Sequence, residues 1–271
     1  MDEWWVSPLA GLARGGAHAA VLAVTFYVLA GVLGREWGDP RRLSEVAFWG
    51  AALIAVPQVV TAGAGGRVSV FTEVLLFTLV PAIVMVVEAQ QVRFGNAENP
   101  LARLGPAIAG VGGAALILPF ALPESAGGRM WLAGLVASAV LSGVAAMRLH
   151  GLVRQGSEVQ ATAVICGACA VLCGFGAVVW QAPVGSAGLR GWLIELAVCL
   201  LVDGPVFFLL VWLVRGMRPV AFAARFLLIP AVTVIEGVVL LRPELNWTLG
   251  LGLALLIGGG SLLLRRTENL V

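Results

Sequence analysis

The sequence lacks lysine and has little charge of either sign. All 17 basic residues are arginine, and charged residues make up only 12% of the 271 positions. A soluble domain carries about 25% charged residues, which form its polar surface. With 60% hydrophobic residues and a mean hydropathy of +0.98, the composition excludes a water-soluble globule and a disordered chain. It indicates a polytopic membrane protein that lies in the lipid bilayer.

Other features that the sequence lacks exclude several classes of function. A net charge of +2 is too small to predict nucleic acid binding. The four cysteines lie in apolar runs and predict no disulfide framework; the helical spacing of Cys166, Cys169 and Cys173 favours packing of small residues over a metal or redox site. His18 and His150 are predicted on opposite sides of the membrane, so we expect no histidine-based catalytic triad. Without any soluble-enzyme motif, we predict neither an enzyme nor a bound cofactor.

Nine apolar runs of about 18 to 24 residues follow one another, each long enough to cross the hydrocarbon core as a helix. The acidic start of the chain lacks the basic segment of a cleavable signal peptide, so we expect the first run to stay in the mature protein. The runs lie at 15–34, 44–62, 68–88, 104–122, 130–149, 161–181, 191–214, 221–241 and 247–264.

Nine crossings would distribute the arginines unevenly. One side of the membrane receives five arginines, whereas the other receives the remaining twelve. Positive residues favour the cytoplasmic side. We therefore predict a multi-pass protein of the cytoplasmic (inner) membrane, with its N-terminus outside and its C-terminus in the cytoplasm.

Two stretches of the chain resemble each other. Phe77 to Glu88 and Phe226 to Glu236 each contain a proline followed by alanine, at Pro81 and Pro230, and each ends on a glutamate. A glycine-rich run follows each stretch. The runs that precede them also match, because each contains a proline: Pro57 in the first and Pro205 in the second.

Under the predicted orientation the two repeats are inverted. The fold class predicted is all-α, with nine transmembrane helices arranged as four in residues 1–122 and five in residues 123–271, within one membrane domain. Inverted repeats with broken helices are typical of secondary transporters, whose sites lie near the midplane. The paired prolines would then act as hinges. The alternative is that proline and glycine are simply common in membrane helices.

A family resemblance rests on these same stretches. Arg225-Phe-Leu-Leu-Ile-Pro230, Gly237-Val-Val-Leu-Leu and Glu244-Leu-Asn-Trp247 resemble the last two helices of EamA-type drug/metabolite transporters. Leu79-Val-Pro81 and Gly113-Ala-Ala-Leu-Ile extend the resemblance into the first half. The family has ten helices in two inverted halves of five. The resemblance therefore implies that the family's first helix is absent here, which agrees with an N-terminus outside.

Acids inside the runs are the candidate functional residues, because an ionised carboxylate near the bilayer centre is costly and such residues usually face a cavity. Asp203 is followed by Gly204 and by Pro205, which interrupts the hydrogen-bond ladder; it could serve coupling or merely cap broken backbone. Glu195 could line the same pathway or snorkel to the interface. The other candidates are Glu236, Glu73 and the neutral Gln58.

Two functions remain open. The first is a secondary transporter that moves a small polar metabolite, amino-acid-like or drug-like, by alternating access. Proton coupling would be available to it, since a carboxylate in apolar surroundings is easier to protonate. The second is a non-transporting scaffold subunit of a larger complex built on the transporter fold. A homodimer contact or a partner subunit would then cover the face left by the missing helix.

Overall fold

A computed structural model describes residues 8–35, 37–91, 100–182, 189–241 and 246–265. These residues contain no strand, so the prediction of an all-α chain is confirmed for them. The helices are α1 (Pro8–Val32), α2 (Pro40–Ala64), α3 (Val70–Phe77), α4 (Val80–Gln91), α5 (Pro100–Ile117), α6 (Ala126–Val153), α7 (Glu158–Val179), α8 (Leu189–Val198), α9 (Gly204–Gly216), α10 (Pro219–Ala223), α11 (Arg225–Leu241) and α12 (Trp247–Arg265).

Eight helical segments of the described chain are long and apolar enough to cross a membrane. Three of them combine neighbouring helices: α3 with α4, α8 with α9, and α10 with α11. The apolar part of α5, Leu104–Ile117, is shorter. The predicted run 104–122 ends early because Pro119 disfavours helical backbone at the residue before it. The pattern is that of a multi-pass membrane protein, and the count of nine spans stays a prediction.

Of the four prolines predicted as hinges, two lie within helices and two lie next to a helix interruption. Pro57 lies within α2 and Pro230 within α11. Pro81 is the second residue of α4, just after the break that separates it from α3. Pro205 is the second residue of α9 and follows a π-helical turn at Cys199–Asp203. The break expected at Pro205 is therefore a wider turn of one continuous helix.

The chain divides into two compact units, and each unit takes helices from both sequence halves. Unit 1 comprises residues 1–65 and 148–216, and unit 2 comprises residues 66–147 and 217–271. Neither unit coincides with the predicted repeats at 1–122 and 123–271. The repeats describe a likeness of sequence and stay a prediction.

Unit 1 is built on the close packing of α1 against α7. A Cβ atom built on Gly16 would lie 3.1 Å from the backbone nitrogen of Gly174, and one on Gly176 would lie 3.0 Å from a methyl group of Leu12. Because the numbers rise along one helix as they fall along the other, the two helices run antiparallel. A small core of Leu22, Phe26, Ala163, Cys166 and Cys199 joins them to the π-turn.

Unit 2 is built on an equally close contact between α5 and α12. A Cβ on Gly113 would lie 2.5 Å from the carbonyl oxygen of Gly252, and a Cβ on Gly259 would lie 2.8 Å from the backbone nitrogen of Gly110. These two helices also run antiparallel. Small residues let membrane helices approach to backbone contact, where van der Waals packing is strongest.

Candidate functional site

Two of the predicted acids meet a histidine inside unit 1. The Nδ1 atom of His18 lies 2.6 Å from Oδ2 of Asp203, and its Nε2 atom lies 3.1 Å from Oε2 of Glu195. His18 comes from α1, Glu195 from α8 and Asp203 from the π-turn. One imidazole ring therefore connects two carboxyl groups that come from one continuous helical segment.

The π-turn explains why both acids reach the same ring. Eight residues separate Glu195 from Asp203, and at about 100° per residue an α-helix would place them about 80° apart. A π-turn accommodates about one extra residue, and Gly204 donates its backbone N–H to the carbonyl of Cys199, five residues back. The two acids then behave as if about seven residues apart, within about 20° of one face.

Two neighbours hold this cluster in place. The Nε atom of Arg14, one turn before His18 on α1, donates to Oε2 of Glu195 at 2.7 Å. The thiol of Cys199, inside the π-turn, lies 3.5 Å from the carbonyl oxygen of His18, to which it donates. The side chains of His18 and Glu195 are only 12% and 14% exposed, against 35% for Asp203. The ring is thus enclosed, and the cluster opens to its surroundings at Asp203 and at Arg14, whose side chain is 40% exposed.

The hydrogen bonds and the net charge of the cluster depend on which of its groups carry a proton. An ionised carboxylate only accepts hydrogen bonds, and an imidazole donates from both nitrogens only when it is protonated. With an imidazolium, two carboxylates and the guanidinium of Arg14, the four charges cancel. Moving one proton from His18 to Asp203 keeps that balance. With one proton fewer, the four groups would carry a net charge of −1 beside the partly exposed Asp203 carboxylate.

The remaining candidates lie elsewhere. In unit 1, Gln58 accepts a weak hydrogen bond from the thiol of Cys173 at 3.7 Å. In unit 2, Glu73 is 7% exposed, and no described residue is hydrogen-bonded to its carboxyl group. Glu236 lies exposed on α11. Of the five predicted site residues, the structure joins only Asp203 and Glu195.

Sequence analysis missed His18 and Arg14 as members of this site. The prediction that no histidine-based catalytic triad forms says nothing of this pairing and stays a prediction. Two signals were available: Arg14 and His18 are spaced four apart, so they share one helix face, and two intramembrane acids need partners of opposite charge. What the sequence could not show is that α1 packs against the π-turn.

The cysteines of the chain lie in apolar surroundings. All four cysteines are free and buried, and Cys166 and Cys199 belong to the apolar core of unit 1. Within the described ranges, no group of three His, Cys, Asp or Glu side chains is arranged to hold a metal ion. The thiols therefore act here as small packing groups.

Comparison with known proteins shows the fold alone. No family model matches the sequence, and no curated protein matches it. One solved structure, described only as "Crystal structure of protein", superposes with a TM-score of 0.67 at 17% sequence identity. The match covers 97% of this chain and 89% of that chain. An experimentally solved protein therefore has this helical arrangement over nearly its whole length.

Proposed function

We propose that this protein is a secondary transporter that moves a small polar metabolite, amino-acid-like or drug-like, across the cytoplasmic membrane by alternating access coupled to protons. One observation carries the proposal. His18 is held between Asp203 and Glu195 in segments that are long and apolar enough to cross the membrane. Ionisable residues inside membrane segments are rare, pair with one another and mark proton relays or substrate paths.

The charge balance of the cluster suggests how coupling would work. The neutral, fully paired form of Asp203, His18, Glu195 and Arg14 suits an apolar environment, whereas an unpaired charge there is costly. Release of one proton leaves the negative form, which can bind the ammonium group or another cationic part of a substrate. Substrate and proton would therefore compete for Asp203. Such competition would let the protein exchange a proton for a substrate molecule.

The packing inside each unit supports the inverted-repeat proposal. If the first repeat lacks its first helix, α1 corresponds to α7, and α5 corresponds to α12. Both pairs pack at backbone distance, and both run antiparallel. Helices related by an inverted repeat must run in opposite directions when they pack side by side. Within this proposal, Pro57, Pro81, Pro205 and Pro230 supply the flexible points of the helices.

The first experiment asks whether purified protein transports at all. Thermal unfolding in detergent is measured with amino acids and small polar drugs, because a ligand that binds the folded form raises its stability. Uptake of the stabilising compounds into proteoliposomes is then measured with and without a pH gradient. We expect gradient-dependent uptake that falls at least tenfold in Asp203→Asn. Glu45→Gln, at an exposed position on α2, is the matched control and should keep wild-type uptake.

Two outcomes would contradict the proposal. Uptake that is indifferent to Asp203→Asn would remove Asp203 from the pathway. Absence of uptake together with a stoichiometric partner after gentle purification would favour the scaffold subunit, and a stable homodimer without uptake would do the same.

A further inference from the structure

A second polar site lies in unit 1, where three helices begin or end. A cavity of about 360 Å³ is lined by Arg154, Glu158, Trp212, Arg215 and Gly216. Arg154 directly follows α6, Glu158 is the first residue of α7, and Gly216 is the last residue of α9. The cavity is therefore at the end of the membrane-spanning segments, at the depth where lipid headgroups lie.

The cavity carries one uncompensated positive charge. Arg215 forms an ion pair with Glu158, so these two side chains cancel. No described residue pairs with the guanidinium of Arg154, which is exposed. A guanidinium is a planar fork of donors that matches the oxygens of a phosphate group. The cavity is thus chemically suited to an anion with several acceptor oxygens.

Neighbouring contacts hold the cavity in shape before any ligand binds. The Nδ1 atom of His150 on α6 donates to the carbonyl oxygen of Val214 on α9 at 2.7 Å. Arg42 at the start of α2 donates to the carbonyls of Leu152 and Gln155, on either side of Arg154. A site whose walls are already fixed loses less entropy when it binds.

The helix ends and Trp212 add to this preference. The N-terminus of α7 carries a partial positive charge and backbone N–H groups without intrahelical partners. The side chain of its N-cap residue, Ser157, makes no capping hydrogen bond. Trp212 is 52% exposed, and tryptophan rings favour the headgroup region of a bilayer.

We propose that this cavity binds a phosphate group, with Arg154 as its principal ligand and Trp212 packed beside the bound molecule. The two sources of such a group are the headgroup of an anionic phospholipid and soluble phosphate. Basic pockets between membrane helices are known to bind anionic headgroups. The site does not include His18 or Asp203, so it stands or falls independently of the proposed transport.

The test uses the full chain in detergent micelles. Native mass spectrometry measures retention of phosphatidylglycerol and phosphatidylcholine added in equal amounts. A parallel arm measures thermal unfolding with inorganic phosphate against chloride at constant ionic strength. Arg154→Gln removes the proposed ligand, and Arg154→Lys keeps the charge without the fork. Arg41→Gln is the control, since Arg41 is exposed at the start of α2, near the same helix ends but outside the cavity.

We expect the wild type to retain one phosphatidylglycerol at least fivefold more than phosphatidylcholine. Arg154→Gln should lower that retention at least fivefold, Arg154→Lys should lower it less, and Arg41→Gln should change it by less than twofold. Stabilisation by inorganic phosphate that needs Arg154, without preference for the anionic lipid, would support phosphate binding from the soluble source. Equal losses in Arg154→Gln and Arg41→Gln would overturn the proposal, as would indifference to both probes.

Discussion

Phe77 stacks on Phe226, with ring centroids 6.4 Å apart and planes inclined by 18°. The two residues hold the same place in the two similar stretches of the sequence, one before Pro81 and the other before Pro230. Contact between a residue and its own counterpart occurs where a two-fold axis relates the two copies. This contact supports inverted repeats within unit 2, independently of the antiparallel packing of α5 and α12.

The α5–α12 contact makes a stability prediction. Gly113→Ala places a methyl group 2.5 Å from the carbonyl oxygen of Gly252, and backbone cannot move aside as a flexible side chain can. We expect a loss of about 1–3 kcal/mol in the free energy of unfolding. Gly112→Ala is the matched control, because no atom lies within 4 Å of its added Cβ. That variant should unfold at the wild-type temperature or slightly above it, measured by thermal unfolding in detergent.

Much of the fold was predictable, because apolar runs of membrane length leave little choice but helix. The residues at which the helices begin and end were harder to predict. The first run was predicted to begin at residue 15, whereas α1 begins at Pro8. The helix continues through Arg14, whose side chain pairs with Glu195 on a neighbouring helix and is 40% exposed. The end of α5, by contrast, is set by Pro119, which can be read directly from the sequence.

The site was only half predictable. Asp203 stood out as an acid in an apolar run beside Pro205, and Glu195 followed from it. About 80° of rotation on an ideal helix let both acids line one pathway but predicted no shared partner. The π-turn that aligns them packs against α1. The spacing of Arg14 and His18 placed both on one helix face, but it did not identify their partners. A contact across 185 positions of sequence does not follow from local pattern.

The pairing of His18 with Asp203 should be measurable as a coupling energy. A double-mutant cycle with His18→Gln and Asp203→Asn isolates the interaction between the two side chains. Hydrogen-bonded pairs in membrane proteins contribute about 1 kcal/mol by such cycles, and we expect a value of that size. Additive effects of the two substitutions on the free energy of unfolding would show that the contact adds no stability.

Removal of either of two buried hydroxyl groups in unit 2 should affect the stability of the protein differently. Ser142 is fully buried, and its Oγ atom has no hydrogen-bond partner among the described residues. Thr78 is also buried, but its hydroxyl donates to the carbonyl of Leu75 at 2.6 Å. Ser142→Ala should therefore be neutral or stabilising, whereas Thr78→Val should cost about 1 kcal/mol. Equal losses in melting temperature would mean that Ser142 has a partner of its own, such as a bound water.

The predicted topology can be tested with single cysteines. The orientation places Gly38 in the cytoplasm and Gly127 outside, and both positions are exposed with no atom within 4 Å of an added Cβ. We expect a membrane-impermeant maleimide to label Gly127→Cys in intact cells and Gly38→Cys only after lysis. The four native cysteines are buried, so background labelling should be low. The reverse pattern would place the N-terminus in the cytoplasm.

The most direct test of the central claim is proton movement that accompanies transport. Proteoliposomes containing a trapped pH-sensitive dye are given a compound that stabilises the protein, and the change in internal pH is recorded. His150→Gln is the matched control for His18→Gln, because His150 lies outside the cluster and is hydrogen-bonded to the carbonyl of Val214. We expect His150→Gln to keep the wild-type signal within twofold and His18→Gln to fall to less than a tenth of it. A wild-type pH change in His18→Gln would show that His18 takes no part in proton movement.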